Sequence, residues 1–357
     1  MTFLQVSRTH WTKFRRDRAA FVMTFIVPIA FFSLFAVFFG TRPGSKRIQL
    51  AVVNEDGGAA SRQFLTALRK EKGITFLDQE MTAADAERKI RTGDLALALV
   101  VPKGFEVKKG ERPRLTLLAD TSDPFSSRLV GTLMQKAVLG EMPIDVQTRD
   151  LLGASKRNPR IAFTAAGLGV MFLLFFAASS GGALIDESES GTLDRILCSQ
   201  VTMTQLLAGK LFYIVALSTF QLTMTFAWGS LVFGLELREH LGGFLVMTLA
   251  TSLATGAFGL VLASLCRTRA QLSALSNLLV LVMSALGGSL FPRFLMPEQI
   301  QKLGLLTLNG WALDGYLKVF WREEPLLALW PQVTALLLIA TVFFTLARVL
   351  ARRWEAA

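Results

Sequence analysis

Asp186, Glu187, Glu189 and Asp194 put four carboxylates into one short run, DESESGTLDRILCSQVTMTQLLAGK, between Asp186 and Lys210. Cys198 beside them has no CxxC or Cys/His partner that would suggest a metal site. What the run offers is recognition. Leu193, Ile196, Leu197 and Gln200 follow i, i+3, i+4, i+7 spacing, one face of a short helix entered through Gly191 and Thr192. Such a face either docks a partner or packs on the inner ends of its own bundle, and spacing leaves both open.

Other chemistry is scarce. No G-x-x-x-x-G-K-[ST] loop occurs; Gly209-Lys210 lacks the upstream Gly and the following Ser or Thr, so the chain has no phosphate cradle of its own for ATP. The apolar runs hold no paired Asp, His or Ser-Lys groups for intramembrane catalysis, and no carboxylate or His relay for ion coupling. Gln221 and Asn277 are their main polar groups, and as uncharged amides they are assigned to hydrogen bonds between helices. His10, standing alone, is given no catalytic role.

The elements that must carry these residues are membrane helices. Of 357 residues, 52% are hydrophobic and 18% charged, with 28 Phe and a net charge of +11, and the mean hydropathy is +0.45. Soluble domains carry about 25% charged residues. A basic surplus can serve nucleic acid or a membrane surface, and the hydropathy selects the membrane. Residues 19–40 form one apolar run, long enough at about 1.5 Å per residue for a core of about 30 Å, and too long for a signal peptide. Pro28 at its centre is tolerable where neighbours satisfy the freed carbonyl. Five more runs follow: Ile161 to Ile185, Leu211 to Phe233, Gly243 to Cys266, Leu272 to Leu290, and Leu326 to Leu350. The reading is a polytopic α-helical membrane protein with six transmembrane helices in a one-plus-five layout and an inserted extracytoplasmic α/β domain. The last five helices fall within residues 161–350, and 351–357 are a tail.

Basic residues orient the bundle. Arg8, Lys13, Arg15, Arg16, Arg18, Arg195, Lys210, Arg267, Arg269, Arg348, Arg352 and Arg353 fall on one side, and Arg238, Arg293, Lys302, Lys318 and Arg322 on the other. Both termini are therefore expected in the cytoplasm and residues 41–160 outside. Residues 1–18 read as an interfacial helix on the lipid bilayer, with Phe3, Leu4, Trp11 and Phe14 on one face. Within 41–160, Ile48 to Val53, Ile74 to Asp78, Leu95 to Val101 and Leu115 to Asp120 read as strands. Thr82 with Asp85 caps a helix that ends at Gly93, and a helical pattern from Pro124 to Leu152 returns the chain to the membrane. Gly167 and Gly169, Gly181 and Gly182, Gly256 and Gly259, and Gly287 and Gly288 mark close helix approaches, within the chain or to a second copy.

The run E-S-G-T-L-D-R-I-L followed by L-L-A-G-K resembles the cytoplasmic loop of type-2 ABC exporter permeases. Phe291 to Tyr316, FPRFLMPEQIQKLGLLTLNGWALDGY, is similar to the outer re-entrant segment of the same family, with Leu308 where many members have Pro. AVVNEDGG resembles members with a large domain after the first span. The resemblance implies a permease subunit in the bacterial plasma (inner) membrane that exports a drug, lipid or other amphiphile. It binds no cofactor itself, ATP and Mg residing on a nucleotide-binding ATPase subunit, and pairs with a second permease chain. It assigns Glu187, Glu189, Ser190, Gly191, Thr192, Leu193, Arg195, Ile196 and Leu197, in the loop 186–210, to ATPase docking. It assigns Pro292, Pro297, Asn309, Gly310 and Trp311, in 291–316, to an outer gate. The rival expectation is a membrane-anchored receptor or assembly scaffold acting through its extracytoplasmic domain.

Overall fold

The computed structural model describes residues 11–12, 14, 18–41, 48–68, 74–77, 81–92, 97–105, 114–119, 145–150, 159–199, 201–290 and 296–355. They fall into two compact units, 42–156 and the remainder.

Among the described residues of the larger unit, six helices are long and apolar enough to cross a membrane: Arg18–Val37, Ile161–Glu189, Met203–Phe233, Leu241–Leu265, Arg269–Gly287 and Leu326–Trp354. The first belongs to α1, built of Arg18–Phe21, a π turn Val22–Ile26, and Val27–Thr41. Pro28 explains the π turn: its ring would strike the carbonyl of Thr24, four residues back, and widening that turn relieves the clash. Phe25 and Phe32 of α1 pack edge-on against Phe220 and Phe233. Met23, Ile26, Phe31, Leu34 and Val37 face outward, as on a helix with lipid on one side.

The second span runs from α4 (Pro159–Gly181) through a break at Gly182 into α5 (Ala183–Glu189), and a separate short helix, α6 (Thr192–Leu197), follows. Next comes α7 (Met203–Phe233), which starts eight residues before the apolar run begins. The cause is a capping box: Thr202 Oγ1 accepts the Gln205 amide at 3.3 Å and Gln205 Oε1 accepts the Thr202 amide at 3.1 Å. It packs on α4 and on α8 (Leu241–Leu265); α9 (Arg269–Gly287) follows, packed on α4 and stopped by Gly288 at φ 94°. Two short helices, α10 (Glu298–Gly304) and α11 (Leu308–Phe320), precede α12 (Trp330–Leu350).

The core lies where α4 and α8 meet. A Cβ on Gly181 would stand 2.4 Å from the Gly259 carbonyl, and a Cβ on Gly259 would clash with the carbonyl of Ala177. A Cβ on Gly167 would also crowd the Ser289 backbone, one on Gly287 would crowd Asn309 and Thr307, and one on Gly256 would, less tightly, crowd Leu211 and Ile214. These small-residue patches therefore serve packing within the chain. A second knot joins α7, α8 and α11 through Phe226, Phe244, Tyr316 and Phe320, with the Tyr316 and Thr248 hydroxyls 3.0 Å apart.

The described residues of 42–156 carry a five-stranded sheet in the order β2-β1-β3-β4-β5. The strands are β1 (Ile48–Asn54), β2 (Ile74–Leu77), β3 (Leu97–Val101), β4 (Arg114–Ala119) and β5 (Asp145–Asp150). The β1 strand runs parallel to β2 and β3, β4 is antiparallel to β3, and β5 is parallel to β4. Among the described residues its helices are α2 (Ala59–Leu68) and α3 (Ala83–Thr92); Ile90 and Ala86 of α3 sit buried against Ala98, Val100 and Leu118. Thr82 caps α3 by accepting the Asp85 amide at 3.2 Å; Gly93 lies outside the described residues. The helical reading of Pro124 to Leu152 fails at its end, where Asp145–Asp150 pairs with β4. The run DVQTRD is polar, as an edge strand tolerates, and its pairing is imposed by the open side of β4 rather than by periodicity.

Candidate functional site

The acidic run folds as α5, a turn and α6. Gly191, at φ 67°, reverses the backbone between them, a conformation costly for any residue with a Cβ. The turn is tightened by the Ser190 and Thr192 hydroxyls, 2.9 Å apart. The residues of this segment then divide. Leu193 is fully buried in a cluster with Leu184, Met203, Leu206, Leu207, Ile214 and Leu217, so its side chain packs on the chain's own bundle and is not a surface for a partner. Ile196 and Leu197 are half-buried against the same cluster. Glu189, Ser190, Thr192, Asp194 and Arg195 point outward, with Gly191 partly accessible. Gln200 lies outside the described residues.

Glu187 is the second departure. Its Oε1 accepts a hydrogen bond from Lys210 Nζ at 2.8 Å, the two side chains being 11% and 2% exposed. The pair lies out of water, and a buried acid and base of this kind are stable together because each neutralises the other. Lys210 is thus no loop residue; it lies inside α7. The capping box at Thr202 and Gln205 is the signal that shows this in the sequence. A helix begun at Met203 puts Met203, Leu206, Leu207 and Lys210 on one face, and all four are buried.

Beside Glu187, exposed Asp186 is gripped by Arg269 at the start of α9: Nε donates to Oδ1 at 2.6 Å and Nη2 to Oδ2, while Nη1 donates to the Ser179 carbonyl at 2.9 Å. Gly182 makes room for that guanidinium, since a Cβ there would overlap Arg269 and Leu272. The same end of the bundle is closed by the C-terminal turn. Arg353 donates to the Leu265 and Cys266 carbonyls that end α8, and Arg348 Nε donates to Thr204 Oγ1 at 2.8 Å.

At the other end, the residues assigned to a gate are mostly fasteners. Asn309 is buried and donates through Nδ2 to the Ser284 and Ser289 hydroxyls, each at 3.0 Å, bolting the start of α11 to the end of α9. A Cβ on Gly310 would strike the Gly304 carbonyl, so α10 and α11 touch backbone to backbone. Trp311 Nε1 donates to the Leu305 carbonyl at 2.7 Å. Pro297 occupies the N-cap position of α10; Pro292 lies outside the described residues. At about 1.5 Å per residue, α11 with 13 residues is shorter than the hydrocarbon core and α10 shorter still. Leu303 and Leu306 stay exposed on this hairpin.

The amide expectation is corrected. Gln221 is buried with neither Nε2 nor Oε1 hydrogen-bonded, while the Thr225 and Thr223 hydroxyls on the same helix bond back to the Gln221 and Thr219 carbonyls. Asn277 faces outward from the middle of α9. At the N-terminus, Phe14 packs edge-on to Phe25 and Trp11 is exposed; Phe3 and Leu4 lie outside the described residues.

Apolar helices of this number and length, bound into one core, define a polytopic helical membrane protein. Comparison with known proteins refines the class: a family model described as ABC-2 family transporter protein matches residues 18–349, and the chain belongs to that family, the membrane permeases of ABC transporters. It is similar to the inner membrane transport permease YhhJ of Escherichia coli (strain K12), 24% identical over 324 residues, 85% of each chain. It is similar also to the linearmycin resistance permease protein LnrN of Bacillus subtilis (strain 168), 20% identical over 308 residues, 76% of this chain and 80% of the relative. The probable multidrug ABC transporter permease YbhR of Escherichia coli (strain K12) is 23% identical over 324 residues, 85% of this chain and 86% of the relative.

Proposed function

We propose that this chain is the membrane half of an exporter in a bacterial inner membrane, worked by ATP that a separate nucleotide-binding subunit hydrolyses. That subunit docks on the outward face of the α5–α6 turn. One observation carries the reading: the turn presents Glu189, Ser190, Thr192, Asp194 and Arg195 on a base fixed by fully buried Leu193. A rigid base with a charged, accessible edge transmits a push, whereas a loose loop would absorb it. The termini and the α5–α6 end then lie in the cytoplasm, and residues 42–156 and the α10–α11 hairpin on the outer side. Export of amphiphiles is the substrate class proposed, and the names of the permeases LnrN and YbhR, linearmycin resistance and multidrug transport, support it. The anchored α11 serves as a post against which the shorter α10 gates the outer exit.

The working unit pairs two such chains. Asn277, exposed in the middle of α9, supports this, because an amide left unpaired in hydrocarbon costs about 2–7 kcal/mol and a facing chain can satisfy it.

Co-purification tests the docking. Asp194→Arg combined with Arg195→Glu should strip the nucleotide-binding subunit from the chain and leave the permease folded in the membrane. Retention of the subunit by that variant would refute the docking face.

A further inference from the structure

We propose that the α5–α6 segment moves as one body with α7 and separates from α9, so that α7 is the span that receives the stroke and Asp186–Arg269 is the link that lets go. The inference rests on the docking reading for its power source, and on the adjacent carboxylates Asp186 and Glu187 for its mechanics. The two reach in opposite directions with different environments. Glu187 holds Lys210 of α7 at 2.8 Å with both side chains buried. Opening that pair would strand two charges out of water, which buried pairs resist strongly. The same two elements are also joined by apolar packing: Leu193 of α6 shares a buried cluster with Met203, Leu206, Leu207 and Leu217 of α7, a cluster to which no residue of α9 belongs.

The link to α9 is of another kind. Asp186 and Arg269 have side chains 54% and 41% exposed, and a pair so wet is screened by salt and replaced by water at little cost. Beyond it, α9 reaches the end of α4 through Arg269 on the Ser179 carbonyl and Leu272 beside Gly182, and Leu272 shares a buried cluster with Ile185 of α5. Gly182 lies at the break between α4 and α5, where a rigid span gives way to the short segment that would turn with α7. A push on α6 therefore meets a stiff connection on one side and a yielding one on the other.

Spin-label distances in the full-length chain in nanodiscs test this. Exposed Cys198 at the end of α6 carries one label, in a Cys266→Ala background, and the second sits at Met224→Cys on α7 or Ala270→Cys on α9. Raising NaCl from 0.1 to 1 M should leave the 198–224 distribution unchanged and broaden or shift 198–270. Glu187→Gln should at least double the width of 198–224, and the exchange Glu187→Lys with Lys210→Glu should restore it. In complex with the nucleotide-binding subunit, trapping with ATP and vanadate should shift 198–270 by several ångströms while 198–224 holds. Movement of 198–224 on trapping, equal response of both pairs to salt, or a Glu187→Gln chain with an unbroadened 198–224 distribution would overturn the proposal. If Glu187→Gln does not fold, the exchanged pair decides alone: a narrow distribution supports the link and a broad one refutes it. If no nucleotide-binding subunit associates, the docking reading fails, while the salt and substitution arms still decide whether α6 and α7 form one body.

Discussion

Leu193, Glu187 and Lys210 show how one residue's environment decides its role. Leu193→Ala should destabilise the chain by about 2–5 kcal/mol, the cost of emptying a fully buried leucine site, while Asp194→Ala on the exposed side should leave thermal unfolding in detergent unchanged. Lys210→Met should cost about 3–5 kcal/mol by taking away the ammonium that faces the buried Glu187 carboxylate, read from the same melting curves. The amphipathic spacing of Leu193, Ile196 and Leu197 is legible in the sequence, and which way it faces is not: periodicity fixes which residues share a face, and the neighbouring element decides what covers it. Lys210 is the instructive case. Its charge fits a loop that orients the bundle, yet the Thr202–Gln205 capping box places it inside a helix.

Among the elements, the glycine contacts make a sharp claim. Gly259→Leu should prevent α4 and α8 from meeting, because the new side chain would enter the Ala177 carbonyl, and folded protein should be lost on size-exclusion chromatography. Gly242→Ala, whose Cβ would make only ordinary contact with Leu326 at 3.5 Å, should be tolerated. In the α/β unit the turn after β1 hangs on Asp56, whose Oδ1 accepts the Gly104 and Phe105 amides and whose Oδ2 accepts that of Gly58. Desolvation opposes its ionisation, but the Ser61 hydroxyl and these three amides prevail and hold the carboxyl below its ordinary range. A depressed value means that the stabilisation is present above the unfolded pKa of about 3.9 and is lost as pH falls through the folded one. Protection of the Gly104 and Phe105 amides against hydrogen exchange, corrected for intrinsic rates, should therefore be flat above about pH 5 and decline in more acid solution. Constant protection through that acid range would remove Asp56 from the turn's support. The strands β1 to β4 are readable from their β-branched and Leu-rich runs; β5 is not, since its identity comes from the edge it joins.

For the whole molecule, the low charged fraction is the most telling sequence feature. Among the described residues it resolves into six helices long and apolar enough to cross a membrane, as a membrane permease requires. The closing of the bundle's α5–α6 end by Asp186–Arg269, Glu187–Lys210, Arg348–Thr204 and Arg353 on the α8 carbonyls is invisible to spacing, because each bond joins residues far apart in sequence. Pairing of two chains predicts that Asn277→Cys, oxidised in native membranes after Cys198→Ser and Cys266→Ala, yields a covalent dimer on non-reducing gels. Persistence of monomer alone would place the partner on another face. The most direct measurement of the central claim uses Cys198, exposed at the end of α6, in a Cys266→Ala chain. Labelled there with a benzophenone maleimide and photolysed in membranes that also hold the nucleotide-binding subunit, the permease should cross-link to that subunit, and Asp194→Arg with Arg195→Glu should abolish the adduct. A stable complex of the two proteins that gives no adduct from Cys198, or one that keeps it after the charge reversals, would contradict the account.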